Sequence, residues 1–115
     1  MAKIGLVTVL FKSDDVLPGF FKSISEQTHK DYILYLVDNS VNEVSNTVIE
    51  TCLADYPVTE HRHIKNSANV GVAEGNNIGI KQALADGCTH ILILNNDIEI
   101  EQNTAFSTMI SLCEK

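Results

Sequence analysis

No apolar run in the sequence approaches the ~18 residues that a membrane-spanning helix needs, so no segment reads as a bilayer anchor. There is no Cys-x-x-Cys pair. Cys52, Cys88 and Cys113 are odd in number and far apart, which fits small buried thiols in a reducing compartment rather than a disulfide frame or zinc site. Positive charge is scarce: 8 Lys and Arg stand against 15 Asp and Glu, for a formal net charge of −7. Electrostatic capture of nucleic acid needs a basic face, so nucleic acid is excluded as a partner class. A nucleotide ligand is still allowed, because a divalent cation reverses the local sign. Linkers, internal repeats and low-complexity tracts are missing. So are a Ser/His/Asp ordering, a nucleophile elbow and a Walker lysine pattern, which leaves hydrolase and P-loop readings without footing. Met1-Ala2-Lys3 runs directly into a strand-like segment, so no signal peptide is expected and the reading is a cytoplasmic protein, working at the inner face of the membrane if it belongs to a longer one.

What is present is a strand-helix alternation. With 115 residues, 44% of them apolar, the chain reads as a single domain over 1–115 with a substantial core. Lys3 to Leu10 is a strand; Leu17, Phe20, Phe21 and Ile24 then fall on one helical face. Asp31 to Asp38 is a second strand. Ser40-Val41-Asn42-Glu43 has the form of a capping box, opening a helix that carries Val44, Val48, Ile49, Cys52 and Leu53. Val58 to Ile64 is a weaker strand, whose Glu60, His61, Arg62 and His63 predict an edge position. After a polar loop, the pattern predicts a helix from about Ala73 to Ala85 with Gly87 as its stop, then a strand over Thr89 to Leu94. Phe106, Met109, Ile110 and Cys113 again show helical spacing, with no Gly or Pro stop after them, so a C-terminal truncation is expected. Such alternation predicts a mostly parallel, doubly wound sheet with helices on both faces and strand order 3-2-1-4.

In that architecture ligands bind outside the carboxyl ends of the strands. The run Ile91-Leu92-Ile93-Leu94 fits a strand buried on both faces, and it ends in Asn95-Asn96-Asp97. Asn95 and Asp97 are hard oxygen donors, suited to Mg²⁺ or Mn²⁺ bridging a diphosphate. The same three residues also suit a plain turn, and composition alone does not choose. Asp38, ending strand two, offers a carboxylate to a base or ribose or caps the following helix. Gly71, Gly75, Gly79 and Ala83 recur every four residues as a small-residue stripe. Interior glycines cost a helix ~1 kcal/mol each against alanine, so close packing on a sheet or a ligand must compensate. At the stripe's start, near the helix N-terminus, a diphosphate fits. His61 and His63 read as edge-strand surface residues, and His29 and His90 as turn residues.

Two motifs together carry a resemblance: Asn69-x-Gly71-x-Ala73-x-Gly75-x-Asn77-x-Gly79, followed by Leu94-Asn95-Asn96-Asp97. The chain resembles the nucleotide-sugar-binding half of family 2 glycosyltransferases with the GT-A fold, from Val7-Thr8-Val9 onward. It looks most like their rhamnosyltransferase-type branch, in which the metal motif is relaxed from Asp-x-Asp to Asn-x-Asp. The resemblance implies that Thr8 and Val9 meet the nucleoside and that Asp38 binds its base or ribose. Asn69, Gly71 and Asn77 shape the nucleotide pocket, and Asp97 holds a divalent metal with Asn95 beside it. It implies inverting transfer from a UDP- or dTDP-linked sugar to a hydroxyl of a glycan or lipid-linked acceptor in polysaccharide synthesis. The catalytic base is expected beyond residue 115, the isolated fragment is expected to be inactive, and its uncovered apolar surface is expected to favour self-association. Glu74 departs from the family's frequent glycine. Two competing classes stay open: a nucleotidyltransferase making sugar nucleotides, against which the glycine-free loop Phe11-Lys12-Ser13-Asp14-Asp15 counts, and a non-catalytic doubly wound interaction module.

Overall fold

The computed structural model describes residues 3–11, 15–39, 44–96 and 103–113. Strands β1 (Ile4–Leu10), β2 (Tyr32–Asp38), β3 (His61–Lys65) and β4 (His90–Ile93) alternate with helices α1 (Leu17–Ser25), α2 (Val44–Asp55), α3 (Val72–Ala85) and α4 (Ala105–Cys113). They form one sheet in the order β3-β2-β1-β4, with every pair parallel, as the alternation predicts. The capping-box residues 40–43 and the segment 97–102, which includes Asp97, lie outside the described residues.

The period of two along the strands sorts the core into two layers. Leu6, Leu10, Leu34 and Leu36 pack against Leu17, Phe20, Phe21 and Ile24 of α1, Ile49 and Cys52 of α2, and Phe106 of α4. From the opposite face Val7, Ile33, Tyr35 and Val37 meet Ala83 of α3 and Cys88. All seven residues of β2 are buried and six of the seven of β1, so these two central strands are covered on both faces. β4 corrects the reading of its apolar run as buried on both faces: Ile91 and Leu92 are half-buried and Ile93 is 49% exposed, while among the described residues β4 lies at the sheet edge that the order 3-2-1-4 predicts. An apolar groove of about 350 Å³ lies beside it, lined by Leu92, Phe106, Met109 and Ile110 among others. β3 is the other edge, as its charges predict, but it starts only at His61. Val58 reaches the core from the preceding loop instead.

The stripe on α3 fixes how that helix sits. A Cβ on Gly75 would stand 2.8 Å from Val9, and one on Gly79 would overlap Val7; one on Gly5 would stand 2.7 Å from the Ala83 methyl. Positions 75, 79 and 83 thus step down β1 through 9, 7 and 5. Four helical residues rise about 6.0 Å and two strand residues about 6.6 Å, so the two repeats stay nearly in phase. The stripe is a packing seam at Gly75 as well as at Gly79. Gly71 does not belong to it, having φ +86° and nothing within 4 Å of its Cβ position.

α3 ends in a Schellman motif: Cys88 N–H donates to Ala83 O at 3.0 Å and Gly87 N–H to Leu84 O at 3.2 Å, with Gly87 at φ +85°. The Tyr35 hydroxyl donates to Asp86 Oδ2 at 2.8 Å, tying β2 to this corner. Burial, then that hydrogen bond, pushes the Tyr35 phenol far up. The same bond is the main reason the Asp86 carboxyl sits below its usual range.

Cys52 and Cys88 are buried and Cys113 is exposed, all as free thiols, so the expectation of buried thiols fails at Cys113. Burial pushes the Cys52 thiol up, and the charge of Asp55 adds to it. A thiol reagent applied to the folded protein should modify Cys113 quickly and the other two only on unfolding. Two or more fast thiols per chain would contradict this packing.

Candidate functional site

The carboxyl ends of β1, β2 and β3 and the start of α3 carry a continuous polar seam. The strand register places Thr8 beside Leu36, Leu10 beside Asp38 and Leu36 beside His63. Side-by-side residues of a parallel pair project to the same face, and positions two apart share that face. Thr8, Asp38 and His63 therefore rise on one side of the sheet, the side of Leu34 and Leu36, at the carboxyl ends of the strands.

Asp38 is fully buried, and a buried carboxylate needs compensating donors. His63 Nε2 lies 2.9 Å from Asp38 Oδ2. His63 is thus no mere surface residue of an edge strand, because its ring closes over the carboxylate from the neighbouring strand. The overlooked signal was its register, since a histidine two residues before the end of an edge strand lies diagonal to a carboxylate ending the next one.

Asn39, also buried, stitches the seam together. Its N–H donates to Leu10 O at 2.7 Å, and its Nδ2 donates to Gly71 O at 3.2 Å. Its Oδ1 accepts from Asn66 Nδ2 at 2.6 Å, while Asn66 N–H donates to Asp38 O at 3.0 Å. Asn69 Oδ1 accepts from Gly71 N–H at 3.0 Å, a short side-chain turn that sets up the positive φ of Gly71 at the N-cap of α3. At the other end Asn96 Nδ2 donates to Thr8 Oγ1 at 3.2 Å and to Val9 O at 2.7 Å, linking the end of β4 to β1.

Of the sequence-predicted site residues, Thr8, Val9, Asp38, Asn69 and Gly71 belong to this seam. Asn95 is exposed just past β4, and its neighbour Asn96 makes the cross-links. Asn77 is exposed on α3, two residues and ~200° from both Gly75 and Gly79, the positions that face the sheet. Glu74 is exposed in the first helical turn, where a carboxylate suits the helix dipole. His63, Asn39, Asn66 and Asn96 join the site from the structure. Among the described residues no group of three or more His, Cys, Asp or Glu is placed to hold a metal ion. Among the described residues the end of β4 offers such a cation only amide oxygens, those of Asn95 and Asn96. No helix among the described residues is long and apolar enough to cross a membrane.

The family model described as Glycosyl transferase family 2 matches residues 6–115. No curated protein sequence matches the chain. Among solved structures, a crystal structure of S. aureus TarS 1-349 in complex with UDP is similar, with a TM-score of 0.76 at 14% identity. The match covers 97% of this chain and 32% of that one, so the chain spans about a third of the length of its structural neighbour. At that identity the likeness shows the fold, a GT-A sheet with helices on both faces.

Proposed function

From the premise that this chain belongs to glycosyl transferase family 2, we propose that it is the nucleotide-sugar-binding part of a glycosyltransferase. The observation that carries the reading is the seam itself. Residues distant in sequence meet where a doubly wound sheet takes its ligands, and the N-terminus of α3 opens onto the same rim. That helix begins at Gly71 with no side-chain cap, so its first-turn N–H groups point where a diphosphate would gain from them. The UDP held by TarS on a similar fold supports a nucleoside diphosphate as the ligand class. Thr8 and Val9 are read as the wall beside the nucleoside, Asn69 and Gly71 as the turn that aims α3, and Asn77 as an outer contact.

The finer reading is a rhamnosyltransferase-like, inverting hexosyl transfer from a UDP- or dTDP-linked sugar to a hydroxyl of a glycan or lipid-linked acceptor. This part of the protein would bind the donor and stabilise charge growing on the leaving diphosphate. The carboxylate that deprotonates the acceptor is read as lying beyond residue 115. Asp97, with Asn95, is read as the holder of Mg²⁺ or Mn²⁺, which when bound would act as a Lewis acid.

A thermal-shift series with UDP, dTDP and GDP, with and without Mn²⁺, tests this reading. A ligand at about 100 times its Kd adds about 2.7 kcal/mol, which raises Tm by several degrees for a domain of this size. UDP or dTDP should do so, and Asp97→Ala should lose the Mn²⁺-dependent part alone. No shift with any diphosphate sinks the donor-site reading, whereas a shift indifferent to Mn²⁺ removes only the metal from it.

A further inference from the structure

We propose that Asn96 is a positioning residue of the donor site: its side-chain amide replaces a main-chain rung and so fixes where the chain turns off β4 toward Asp97. The inference rests on the donor-site reading above and deepens it. β4 pairs with β1 in register from Ile4 beside His90 to Val7 beside Ile93. His90 N–H donates to Lys3 O at 3.2 Å and Leu94 N–H to Val7 O at 2.9 Å, so the rungs fall on even-numbered positions of β4 and odd-numbered positions of β1. Bonds in a parallel pair are evenly spaced, and the next rung would run from the main-chain N–H of residue 96 to Val9 O. Val9 O accepts instead from the Asn96 side chain, Nδ2 lying at 2.7 Å. A carbonyl can only accept, so the amino group of this amide must be the end that faces β1. The same Nδ2 donates to Thr8 Oγ1 at 3.2 Å. The main chain can thus leave the sheet after Leu94 while its end stays tied to β1.

The tie lies where this topology takes its ligands. With the order β3-β2-β1-β4 the chain winds outward from β1 in both directions, so the crevice between the carboxyl ends of β1 and β4 is the switch point of the sheet. β1 continues to Leu10, past the last residue that pairs with β4, and the Asn96 side chain spans that stagger. Asn95 and Asp97, the residues read as contacts of the diphosphate, are each one peptide bond from the anchored residue. Holding them in place before the ligand arrives removes an ordering cost from binding. Thr8 is 0% exposed, so its hydroxyl serves the site through Asn96 and not by touching the ligand.

The test is an NMR titration with UDP and with uridine, at one fixed Mg²⁺ concentration and well below each unfolding midpoint. It compares wild type with Asn96→Leu, Thr8→Val and the double variant. Leucine keeps the branching of asparagine without its donor, and valine keeps the shape of threonine without its acceptor. Asn96→Leu should weaken UDP roughly tenfold, the size of one well-made hydrogen bond, and uridine by less than about threefold, since uridine lacks the diphosphate. Thr8→Val should weaken UDP by about threefold, and the double variant should bind it no worse than Asn96→Leu, because the two residues share one contact. In wild type, with no variant needed, the Asn96 side-chain amide should exchange with water more slowly than that of exposed Asn77. An Asn96 amide as exchangeable as that of Asn77 overturns the assignment by itself. So do additive losses in the double variant, which would make Thr8 and Asn96 independent, and an equal weakening of UDP and uridine, the mark of a merely structural role. If wild type and Asn96→Leu bind UDP equally, this inference falls while the donor-site reading stands; if wild type binds neither UDP nor uridine, both fall.

Discussion

Replacing Gly79 by valine should destabilise the domain by about 3 kcal/mol, the upper part of the range for overpacked cores. The sign of the smaller change, Gly79→Ala, is the more informative. On an exposed helix surface this substitution would stabilise by ~1 kcal/mol, because glycine is the poorer helix former. Here the new methyl would overlap Val7 Cγ1 and stand 3.2 Å from Val37 Cγ2, both on buried strands that cannot retreat without disturbing the opposite core layer. The expected outcome is therefore a loss, measured as a lower urea midpoint with an unchanged slope. Gly79→Ala combined with Val7→Ala should recover part of it, since contacting residues couple. A Gly79→Ala protein as stable as wild type would mean that α3 stands off the sheet and that the stripe serves something else. Against a total of about 5–15 kcal/mol for a domain, the valine variant removes a large fraction of the folded state's margin.

The sheet was legible because its signals are local and repeated. Leu17, Phe20, Phe21 and Ile24 mark α1 by helical spacing, Gly87 marks the end of α3, and the charged run Glu60 to His63 marks an edge. Strand order followed from alternation and crossover handedness, with no side-chain detail needed. The apolar run Ile91 to Leu94 misled about burial on both faces, because an apolar run reports composition and not which of its faces is covered. Among the described residues the run lies at an edge, with Ile93 half-exposed.

The site was harder to read for a different reason. Thr8, Asp38 and Gly71 announce themselves by lying at predicted strand or helix ends. His63, Asn39, Asn66 and Asn96 are defined by partners 25, 32, 27 and 88 residues away, and an asparagine in a polar loop looks the same whether or not its amide is committed. Burial separates them: Asn39 is 1% exposed, so its amide must be satisfied inside the protein. The stripe shows the same limit, since spacing of four identifies a face but not what the face meets. At Gly75 it meets Val9 and Asn39.

Asn39→Leu should cost about 2–4 kcal/mol, although the two side chains have the same number of heavy atoms and the same branching. The backbone bond from Asn39 N–H to Leu10 O survives the change. What is lost is the amide, which at present accepts from Asn66 Nδ2 and donates to Gly71 O. Both partners are left facing an isobutyl group, and each orphaned, partly buried polar group costs about 1–3 kcal/mol. Asn66→Ala should cost less, about 1 kcal/mol, because it removes its own polar group and leaves only one lone pair of Asn39 to be resatisfied by water. The two changes together should fall short of their sum, the coupling measuring the Asn39–Asn66 bond. Hydrogen exchange supplies the spatial readout: in Asn39→Leu the loop from Asn66 to Gly71 and the first turn of α3 should exchange faster, while β1 and β2 keep their protection relative to the global opening. The consequence for the site is direct, since Gly71 sets the start of α3 and its carbonyl is anchored through Asn39 to the end of β2. An Asn39→Leu protein within about 0.5 kcal/mol of wild type, with the loop unchanged in exchange, would show that the seam is not what holds α3 against the strand ends.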